Sequence, residues 1–378
     1  MYPRILHCYA DHKWTGPSGP VVRLCAELSA RGWGSDLACM AAPEGHRNLI
    51  AERAQAVGVR VREVFRPHGA WAFREAFLAR RRLRKAIEDD YGLVHCHGGW
   101  DLYIAWLAAC RRTLPVVRTD HVAREYGAGY LERRFYGPRN VDHLIVLSER
   151  HAAQAIDRIG REPETVSAIR GAVDVHSVRP GDPPDGMRER LGLTDDDVVI
   201  GVVARVQRHR RFDVLLEAAR LVAREDPSVK IAICGRGTHK AEVLDRPIKA
   251  MGLAGTVLPL GYRSDDYADV LATFDAGLML VPGSDGSCRA AMEMAAMAKP
   301  LLVADRGVLP DIVQDGATGI VVDDTPERLA EAILEMAADA DRRAQWGIAA
   351  RQRMCELFTP ARQAQEVIEV YRKILGAS

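Results

Sequence analysis

The sequence predicts an α/β protein with two doubly wound parallel sheets, one in each half of the chain. Short and almost wholly apolar runs, such as residues 198–206, alternate with amphipathic segments at helical spacing. Strands that alternate with helices pack as a parallel sheet with helices on both faces. The length of 378 residues suits two domains, and residues 178–186, with three prolines and two glycines, mark the boundary between them.

The composition is that of a globular chain and excludes several other classes. Hydrophobic residues make up 48% and charged residues 27%, and the formal net charge of +1 gives no reason to expect a nucleic-acid partner. No apolar run approaches the roughly 18 residues that cross a membrane, and the N-terminus lacks a signal-peptide pattern. The 8 cysteines are scattered without metal-site spacing. We therefore expect a cytoplasmic protein with reduced thiols and no metal.

The first unit of the chain is predicted as a strand, a glycine-containing loop and a helix. Residues 4–9 form the strand and residues 21–31 an amphipathic helix. The loop between them contains Gly16 and Gly19, each followed by a proline that removes a backbone N–H donor. Such a loop can shape a ligand pocket or bind phosphate, or it can be a simple rigid turn.

Two further predicted strands of the first half end in histidine. Residues 93–96 lead to His97, and residues 116–120 lead to His121. The carboxyl ends of parallel strands are where open α/β sheets place their ligands. Each histidine is therefore a candidate ligand contact, and a purely structural hydrogen-bonding role is the alternative for both.

Residues 73–87 form a predicted helix that is rich in arginine. Its apolar side chains can share one face, and its basic side chains crowd the remainder. A basic amphipathic helix can lie on an anionic membrane surface. It can equally be an ordinary surface helix whose apolar face packs in the core. The apolar residues concerned are Phe73, Phe77, Leu83 and Ile87.

Four arginines lie at the end of the buried-type strand predicted at residues 198–206, namely Arg205, Arg208, Arg210 and Arg211. The planar fork of a guanidinium group suits phosphate oxygens. Because these arginines end a buried strand, where ligands collect, they indicate a phosphate site. A solvated basic turn is the alternative interpretation.

Residues 281–300 are predicted as a strand end, a glycine loop and a helix. The start of a helix leaves backbone N–H groups without partners and is electropositive, so it favours an anion. Asp285 lies on the loop and Glu293 about two turns into the helix, and carboxylates accept hydrogen bonds from ligand hydroxyl groups. The alternative is an ordinary helix capped by Asp285 or Ser287.

These motifs resemble the signature of the retaining family 4 glycosyltransferases, also called glycosyl transferases group 1. That family has two glutamates separated by seven residues, where this chain has Asp285 and Glu293. Residues 307–319 are similar to the family's Gly-x-x-Pro-Glu-Ile-Val-x-x-Gly-x-x-Gly. The family's Arg and Lys on the donor diphosphate correspond to Arg205 and Arg210, so arginine replaces the usual lysine.

The resemblance implies the GT-B architecture, in which two doubly wound, Rossmann-like domains face a cleft. Residues 1–178, joined by the C-terminal helix of residues 360–378, would form the acceptor-side domain. Residues 179–359 would form the domain that binds the nucleotide sugar. Transfer would retain the anomeric configuration without a metal, and with no cofactor beyond a UDP-, GDP- or ADP-linked donor as substrate.

The resemblance also assigns roles to individual residues. Arg205 and Arg210 would hold the diphosphate, and His121 would position the sugar at the reacting carbon. Asp285 would bind the sugar hydroxyls and Glu293 the ribose. Other donor-site positions would be Gly235 near the base and the backbone N–H groups of Gly286, Ser287 and Cys288, with Gly16, Gly19 and His97 on the acceptor side.

The expected function is the transfer of a sugar from a nucleotide sugar to a glycan, a lipid-linked acceptor or an envelope lipopolysaccharide or polysaccharide. The alternatives are a nucleotide-sugar epimerase of the same architecture and a catalytically inert binding scaffold. We expect a cytoplasmic enzyme, either free or at the cytoplasmic face of the inner membrane through the helix at residues 73–87.

Overall fold

The computed structural model describes residues 2–14, 16–67, 72–88, 91–121, 125–283 and 286–376. The chain divides into two compact units. The first comprises Met1–Gly171, Ser284–Ser287 and Pro360–Ser378, and the second comprises Ala172–Gly283 and Cys288–Thr359. Each unit contains one parallel sheet, so the predicted pair of doubly wound sheets is confirmed.

The sheet of the first unit has seven strands in the order β3-β2-β1-β4-β5-β6-β7. The strand order reverses direction between β1 and β4, and such a switch point is where α/β sheets bind ligands. The strands are β1 (Arg4–Tyr9), β2 (Ser35–Met40), β3 (Arg60–Phe65), β4 (Tyr91–Cys96), β5 (Val116–Thr119), β6 (His143–Val146) and β7 (Val166–Ala168).

Helices cover both faces of this sheet. They are α1 (Ser18–Ala30), α2 (Leu49–Ala56), α3 (Ala72–Ile87), α4 (Gly99–Leu107), α5 (Tyr130–Tyr136), α6 (Glu149–Gln154) and the C-terminal helix (Pro360–Leu375). The C-terminal helix belongs to this unit because its apolar face, including Val367 and Tyr371, shares a buried cluster with Leu28 and Trp33. Burial of such a face is the main source of helix stability in a folded chain.

The sheet of the second unit has six strands in the order β10-β9-β8-β11-β12-β13, with its switch point between β8 and β11. The strands are β8 (Val198–Val203), β9 (Val229–Cys234), β10 (Val257–Gly261), β11 (Ala276–Met279), β12 (Leu301–Ala304) and β13 (Gly319–Val322). The helices are α7 (Met187–Arg190), α8 (Phe212–Glu225), α9 (Arg246–Ala250), α10 (Tyr267–Ala272), α11 (Arg289–Ala296), α12 (Leu309–Ile312), α13 (Pro326–Ala338) and α14 (Ala340–Leu357).

A glycine on β11 sets the distance between this strand and α11. A Cβ atom added to Gly277 would lie 2.7 Å from Sδ of Met294 and 2.6 Å from a methyl carbon of Leu301. Both distances are below van der Waals contact, so a larger residue would have to displace the ends of these two side chains. Gly277 therefore lets the side chain of Met294, on the helix that carries Glu293, pack directly against β11.

The arginine-rich helix α3 buries a different face from the one expected. Its buried apolar side chains are those of Ala76, Ala79, Leu83 and Ala86. Phe73 is 89% exposed and Phe77 is 51% exposed, so the expectation that they pack in the core with Leu83 is wrong. Small alanines let α3 lie close to the sheet, which leaves the two large rings on the outside. No helix in the described ranges is long and apolar enough to span a bilayer.

Candidate active site

The ends of the central strands of the first unit carry four buried histidines. His7 on β1 lies directly opposite His95 on β4 in the parallel register. His97 follows the end of β4, and His121 follows the end of β5. All four rings are buried. The structure therefore brings the predicted residues His97 and His121 together, and it adds two histidines from strand interiors.

Three of these rings form a hydrogen-bonded chain. Nδ1 of His7 lies 3.0 Å from Nε2 of His97, and Nδ1 of His97 lies 3.2 Å from Nε2 of His121. His95 stands beside this chain, with its ring centroid 4.1 Å from that of His97. Its own nitrogens pair elsewhere, with the Tyr371 hydroxyl at 2.6 Å and Thr119 Oγ1 at 2.7 Å.

These rings are neutral at physiological pH. Burial lowers the pKa of His7 to about 3, although the charge of Asp36 opposes the shift. Burial and the nearby charge of Arg118 lower the pKa of His121 to about 4. The pKa values of His95 and His97 also fall well below the ordinary value, chiefly through burial. A neutral imidazole has one N–H donor and one acceptor nitrogen. All the hydrogen bonds along the three rings must therefore point the same way.

The same cluster is the one group of potential metal ligands in the described part of the chain. Ligand nitrogens of His7, His95 and His97 all lie within 4.8 Å of one another. Protein partners already engage both nitrogens of His95 and of His97 and the Nδ1 atom of His7. A metal ion would have to displace these hydrogen bonds, so the donor set favours a hydrogen-bonded network over a metal centre.

Two buried side chains of opposite charge, Asp101 and Arg118, support the turn that carries His97. Asp101 accepts hydrogen bonds from the backbone N–H groups of His97 at 2.7 Å and Gly98 at 2.9 Å. Arg118 donates to the Gly98 carbonyl at 2.7 Å. Burial raises the pKa of Asp101 to about 6, while the positive charge of Arg118 opposes that shift. These contacts hold the start of α4 in one conformation.

The structure corrects the predicted glycine loop. Helix α1 begins at Ser18, so Gly19 lies inside its first turn rather than on the loop, whereas Gly16 remains in the preceding turn. The prediction placed the helix start after Pro20, yet a proline in the first turn costs no hydrogen bond because that N–H has no helical partner. Pro20 lines one small cavity with His97 and His121.

The arginines after β8 have different surroundings in the second unit. Nη1 of Arg210 donates to the carbonyls of Val281 at 2.9 Å and Pro282 at 2.6 Å, so Arg210 holds the loop that follows β11. Arg205 is exposed, and its guanidinium makes no hydrogen bond or ion pair with the rest of the described chain. Arg208 forms a paired contact with Glu242, with both N–O distances at 2.8 Å.

The loop before α11 has an unusual backbone. Asp285, the predicted sugar contact, lies outside the described residues. Gly286 has φ of +59° and Cys288 has φ of +52°, a left-handed conformation that non-glycine residues rarely adopt. Cys288 is the N-cap residue of α11 and makes no side-chain capping bond, so the alternative in which Ser287 caps this helix is wrong. Cys288 and Ser287 are both buried.

Glu293 is held by a residue that the sequence patterns did not reveal. The hydroxyl of Tyr267, on α10, donates to Glu293 Oε2 over 2.8 Å. Nε of Arg289 lies 3.5 Å from the other carboxylate oxygen. Burial, followed by the negative charge of Glu293, raises the pKa of Tyr267 well above its ordinary value, so the phenol remains a donor. A tyrosine at a helix start gives no sequence signal of its own.

Close backbone packing explains why position 235 is a glycine. A Cβ atom there would lie 1.8 Å from the carbonyl oxygen of Ala204, and one at Gly237 would lie 1.8 Å from that of Val206. Both glycines let the turn after β9 run directly against the segment after β8. This packing brings Gly235 close to the Arg205 segment, whatever ligand the turn contacts.

Models of known protein families match both halves of the chain. Residues 20–177 match the family described as Glycosyltransferase Family 4, and residues 185–353 match Glycosyl transferases group 1. The chain belongs to the family 4 glycosyltransferases. The family resemblance drawn from Asp285, Glu293 and the arginines is therefore confirmed.

Curated relatives of this family 4 glycosyltransferase have about 29% sequence identity to it. The D-inositol 3-phosphate glycosyltransferase of Streptomyces bingchenggensis is 29% identical over 255 residues, which are 61% of this chain and 55% of that protein. The enzyme of the same name from Rhodococcus opacus is 29% identical over 303 residues, which are 75% of this chain and 67% of that protein. The chain thus spans between about half and two thirds of these relatives.

Solved structures share the fold of this glycosyltransferase. Anabaena HepE in complex with UDP and glucose has a TM-score of 0.80 at 17% identity, and the match covers 98% of this chain and 100% of HepE. At this identity the likeness establishes the GT-B fold alone. The predicted GT-B class is therefore confirmed over nearly the whole chain.

Proposed function

We propose that this family 4 glycosyltransferase moves a sugar from a nucleoside-diphosphate donor to an acceptor hydroxyl with retention of the anomeric configuration. The observation that carries the proposal is the arrangement around α11 in the second unit. The second unit holds the loop that Arg210 fixes, the start of α11 without a side-chain cap, and the carboxylate of Glu293 that Tyr267 orients. It also holds Arg205, whose exposed guanidinium has no hydrogen-bond or ion-pair partner among the described residues.

The cationic groups suit a diphosphate leaving group. When the bond to the sugar breaks, negative charge grows on the phosphate oxygens, and fixed cations and helix N–H groups stabilise that charge. Arg205 is exposed and has no protein partner in the described residues, so its guanidinium is ready to bind phosphate without losing an existing contact. This arrangement supplies the stabilisation that a metal ion provides in other transferases, and we propose transfer without a metal or other cofactor.

Glu293 suits the hydroxyl groups of a ribose. Its side chain is 17% exposed, and the Tyr267 hydroxyl and Arg289 fix its orientation. A carboxylate held in this way accepts hydrogen bonds from two neighbouring hydroxyls at little further entropic cost. The complex of HepE with UDP and glucose supports a UDP-linked hexose as the first donor to test.

Two observations support the proposed acceptors: the names of the curated relatives and the exposed surface of helix α3. The curated relatives are named for D-inositol 3-phosphate, which supports a phosphorylated polyol as an acceptor to include. Helix α3 supports a lipid-linked glycan or envelope acceptor, because it exposes Phe73 and Phe77 among arginines. Apolar rings on a basic helix are the pattern of a protein that lies on an anionic bilayer. We propose that α3 rests on the cytoplasmic face of the inner membrane.

The test is incubation with UDP-, GDP- and ADP-linked sugars, each with inositol 3-phosphate, a lipid-linked glycan and a lipopolysaccharide core. Transfer releases free nucleotide and forms a glycoside whose anomeric proton coupling matches that of the donor, and a chelator leaves the rate unchanged. An inverted product or loss of the rate with chelator contradicts the corresponding part of the proposal. Sugar isomers without acceptor would indicate an epimerase, and neither binding nor turnover of any donor would indicate an inert scaffold.

A further inference from the structure

The first unit contains a line of three hydrogen-bonded imidazoles, His7, His97 and His121, that the proposed transfer reaction does not explain. Any buried polar pair could serve a purely structural role. Here, however, the line ends at His121, the histidine that the family resemblance assigns to the donor sugar. The direction in which protons lie along the line decides which nitrogen of His121 carries a hydrogen.

Two proton arrangements satisfy the two contacts between the rings. In the first, His7 donates from Nδ1 to Nε2 of His97, and His97 donates from Nδ1 to Nε2 of His121. In the second, His121 donates from Nε2, and the proton of His7 lies on its own Nε2. Because each ring is neutral, the nitrogen that carries the proton in His7 determines the tautomer of His121.

The far end of the line distinguishes the two arrangements. Nε2 of His7 is buried and has no hydrogen-bond partner in the described chain. The second arrangement would bury an unpaired N–H at this atom, and the first would leave only an unpaired lone pair. Buried N–H groups without a partner are the rarer of the two in folded proteins. The first arrangement is therefore favoured, and it places the proton of His121 on Nδ1.

We propose that His7 and His97 are positioning residues that hold His121 as the neutral tautomer with its proton on Nδ1. The consequence for transfer rests on the proposed function and on the role that the family resemblance assigns to His121. A neutral N–H donor can hold an oxygen of the donor without adding positive charge near a carbon that itself becomes positive in the transition state. An imidazolium at the same place would oppose that step.

The tautomer is measured directly in the free protein. Histidine labelled with ¹⁵N reports which ring nitrogen is protonated, and long-range proton–nitrogen correlation spectra distinguish the two forms. We expect a protonated Nδ1 and an unprotonated Nε2 for His121 in the wild-type chain. A proton on Nε2 of His121 would overturn the proposal, whether or not the chain transfers sugar.

Three variants connect the tautomer to the reaction. His7→Leu removes the donor to His97, so His121 should lose its single tautomer. We expect kcat to fall about 10- to 100-fold, the range seen when the hydrogen-bond partner of a metal-binding histidine is removed. His7→Asn places an amide donor near the position of Nδ1 and should restore both. His143→Asn is the control, because His143 is also buried in this sheet but pairs with Ser167 at 2.8 Å.

The remaining outcomes are also decisive. If His7→Leu changes neither the spectrum nor kcat, the line does not position His121. If added Zn²⁺ shifts the nitrogens of His7, His95 and His97 together, a metal displaces the hydrogen bonds and the proposal fails. If the wild-type chain transfers no sugar, the proposed function fails, while the tautomer measurement still decides the role of His7 and His97. Should His7→Leu not fold, His7→Asn and the wild-type spectrum carry the test.

Discussion

The hydroxyl of Tyr267 donates a 2.8 Å hydrogen bond to the carboxylate of Glu293, which joins α10 to α11 within the second unit. Both residues are partly buried, and 17% of the Glu293 side chain is exposed. The tyrosine therefore orients the carboxylate and leaves part of it available to a ligand.

We expect Glu293→Ala to abolish the rise in melting temperature that the true donor causes, because the carboxylate is the proposed ribose contact. Tyr267→Phe should weaken donor binding only about 3- to 10-fold, since it removes one hydrogen bond worth about 1 kcal/mol and keeps the carboxylate. Thermal-shift titrations measure both. The control is Tyr103→Phe in the first unit, and a full shift in Glu293→Ala would refute the assignment.

Substitutions of Arg205 and Arg210, the two arginines of the proposed phosphate site, should differ in their effect on the stability of the fold. Arg205→Ala should reduce donor affinity about 10-fold or more without changing the ligand-free melting temperature, because Arg205 is exposed and its guanidinium makes no hydrogen bond or ion pair with the described residues. Arg210→Met should reduce affinity and also destabilise the fold by about 1 kcal/mol or more, because the carbonyls of Val281 and Pro282 lose their donor.

Arg208→Ala is the matched control for these two variants, since its exposed pairing with Glu242 should contribute little to stability. Calorimetric titration with the donor and thermal unfolding without it give the two readouts. Equal donor affinity in Arg205→Ala and in the wild type would remove Arg205 from the site.

Acid should destabilise the first unit through its buried histidines. The pKa of His7 is lowered to about 3 and that of His121 to about 4 in the folded chain, while unfolded histidine titrates near 6.5. The unfolded state therefore binds more protons between these values, and stability present above about pH 6.5 is lost as the pH falls toward 4 and 3.

Proton uptake on unfolding in urea near pH 5 measures this effect without assuming a two-state transition. His7→Leu should take up about one proton fewer than the wild type. His46→Leu is the control, because the ring of His46 is exposed in the folded chain. An equal uptake by His7→Leu and the wild type would mean that His7 is already charged when folded.

Helix α3 should bind vesicles that contain anionic lipid. Its exposed rings Phe73 and Phe77 lie among arginines, and the guanidinium of Arg80 sits 5.0 Å from the Phe77 ring centre. We expect the double change Phe73→Ser and Phe77→Ser to reduce sedimentation with phosphatidylglycerol vesicles at least 10-fold, because both rings lose their apolar contact with the bilayer.

Ile348→Ser is the control for vesicle binding, since Ile348 is 67% exposed on α14 of the second unit. High salt should weaken the binding through the arginines. Unchanged sedimentation of the double variant would show that α3 does not contact lipid.

Local sequence patterns were sufficient to predict both sheets, because the spacing of apolar residues along a short segment distinguishes strands from helices. The partner of Glu293 was not predictable, since Tyr267 reaches it from another helix 26 positions away in sequence. The contribution of His7 depends on the register between β1 and β4, which sets His7 opposite His95 and which no single segment encodes. The start of α1 was misplaced because Pro20 is compatible with a first turn. Asp285 lies outside the described residues, so its proposed contact stays a prediction.

Any side chain at position 235 would collide with the Ala204 carbonyl. This clash has a consequence for saturation mutagenesis of the enzyme. Scored by activity alone, positions 205 and 235 would both tolerate almost nothing. Scored by cellular abundance, only position 235 should remain intolerant, since replacing Arg205 leaves folding intact. The difference between the two maps would mark the residues that do chemistry, and Gly235 would drop out of that set.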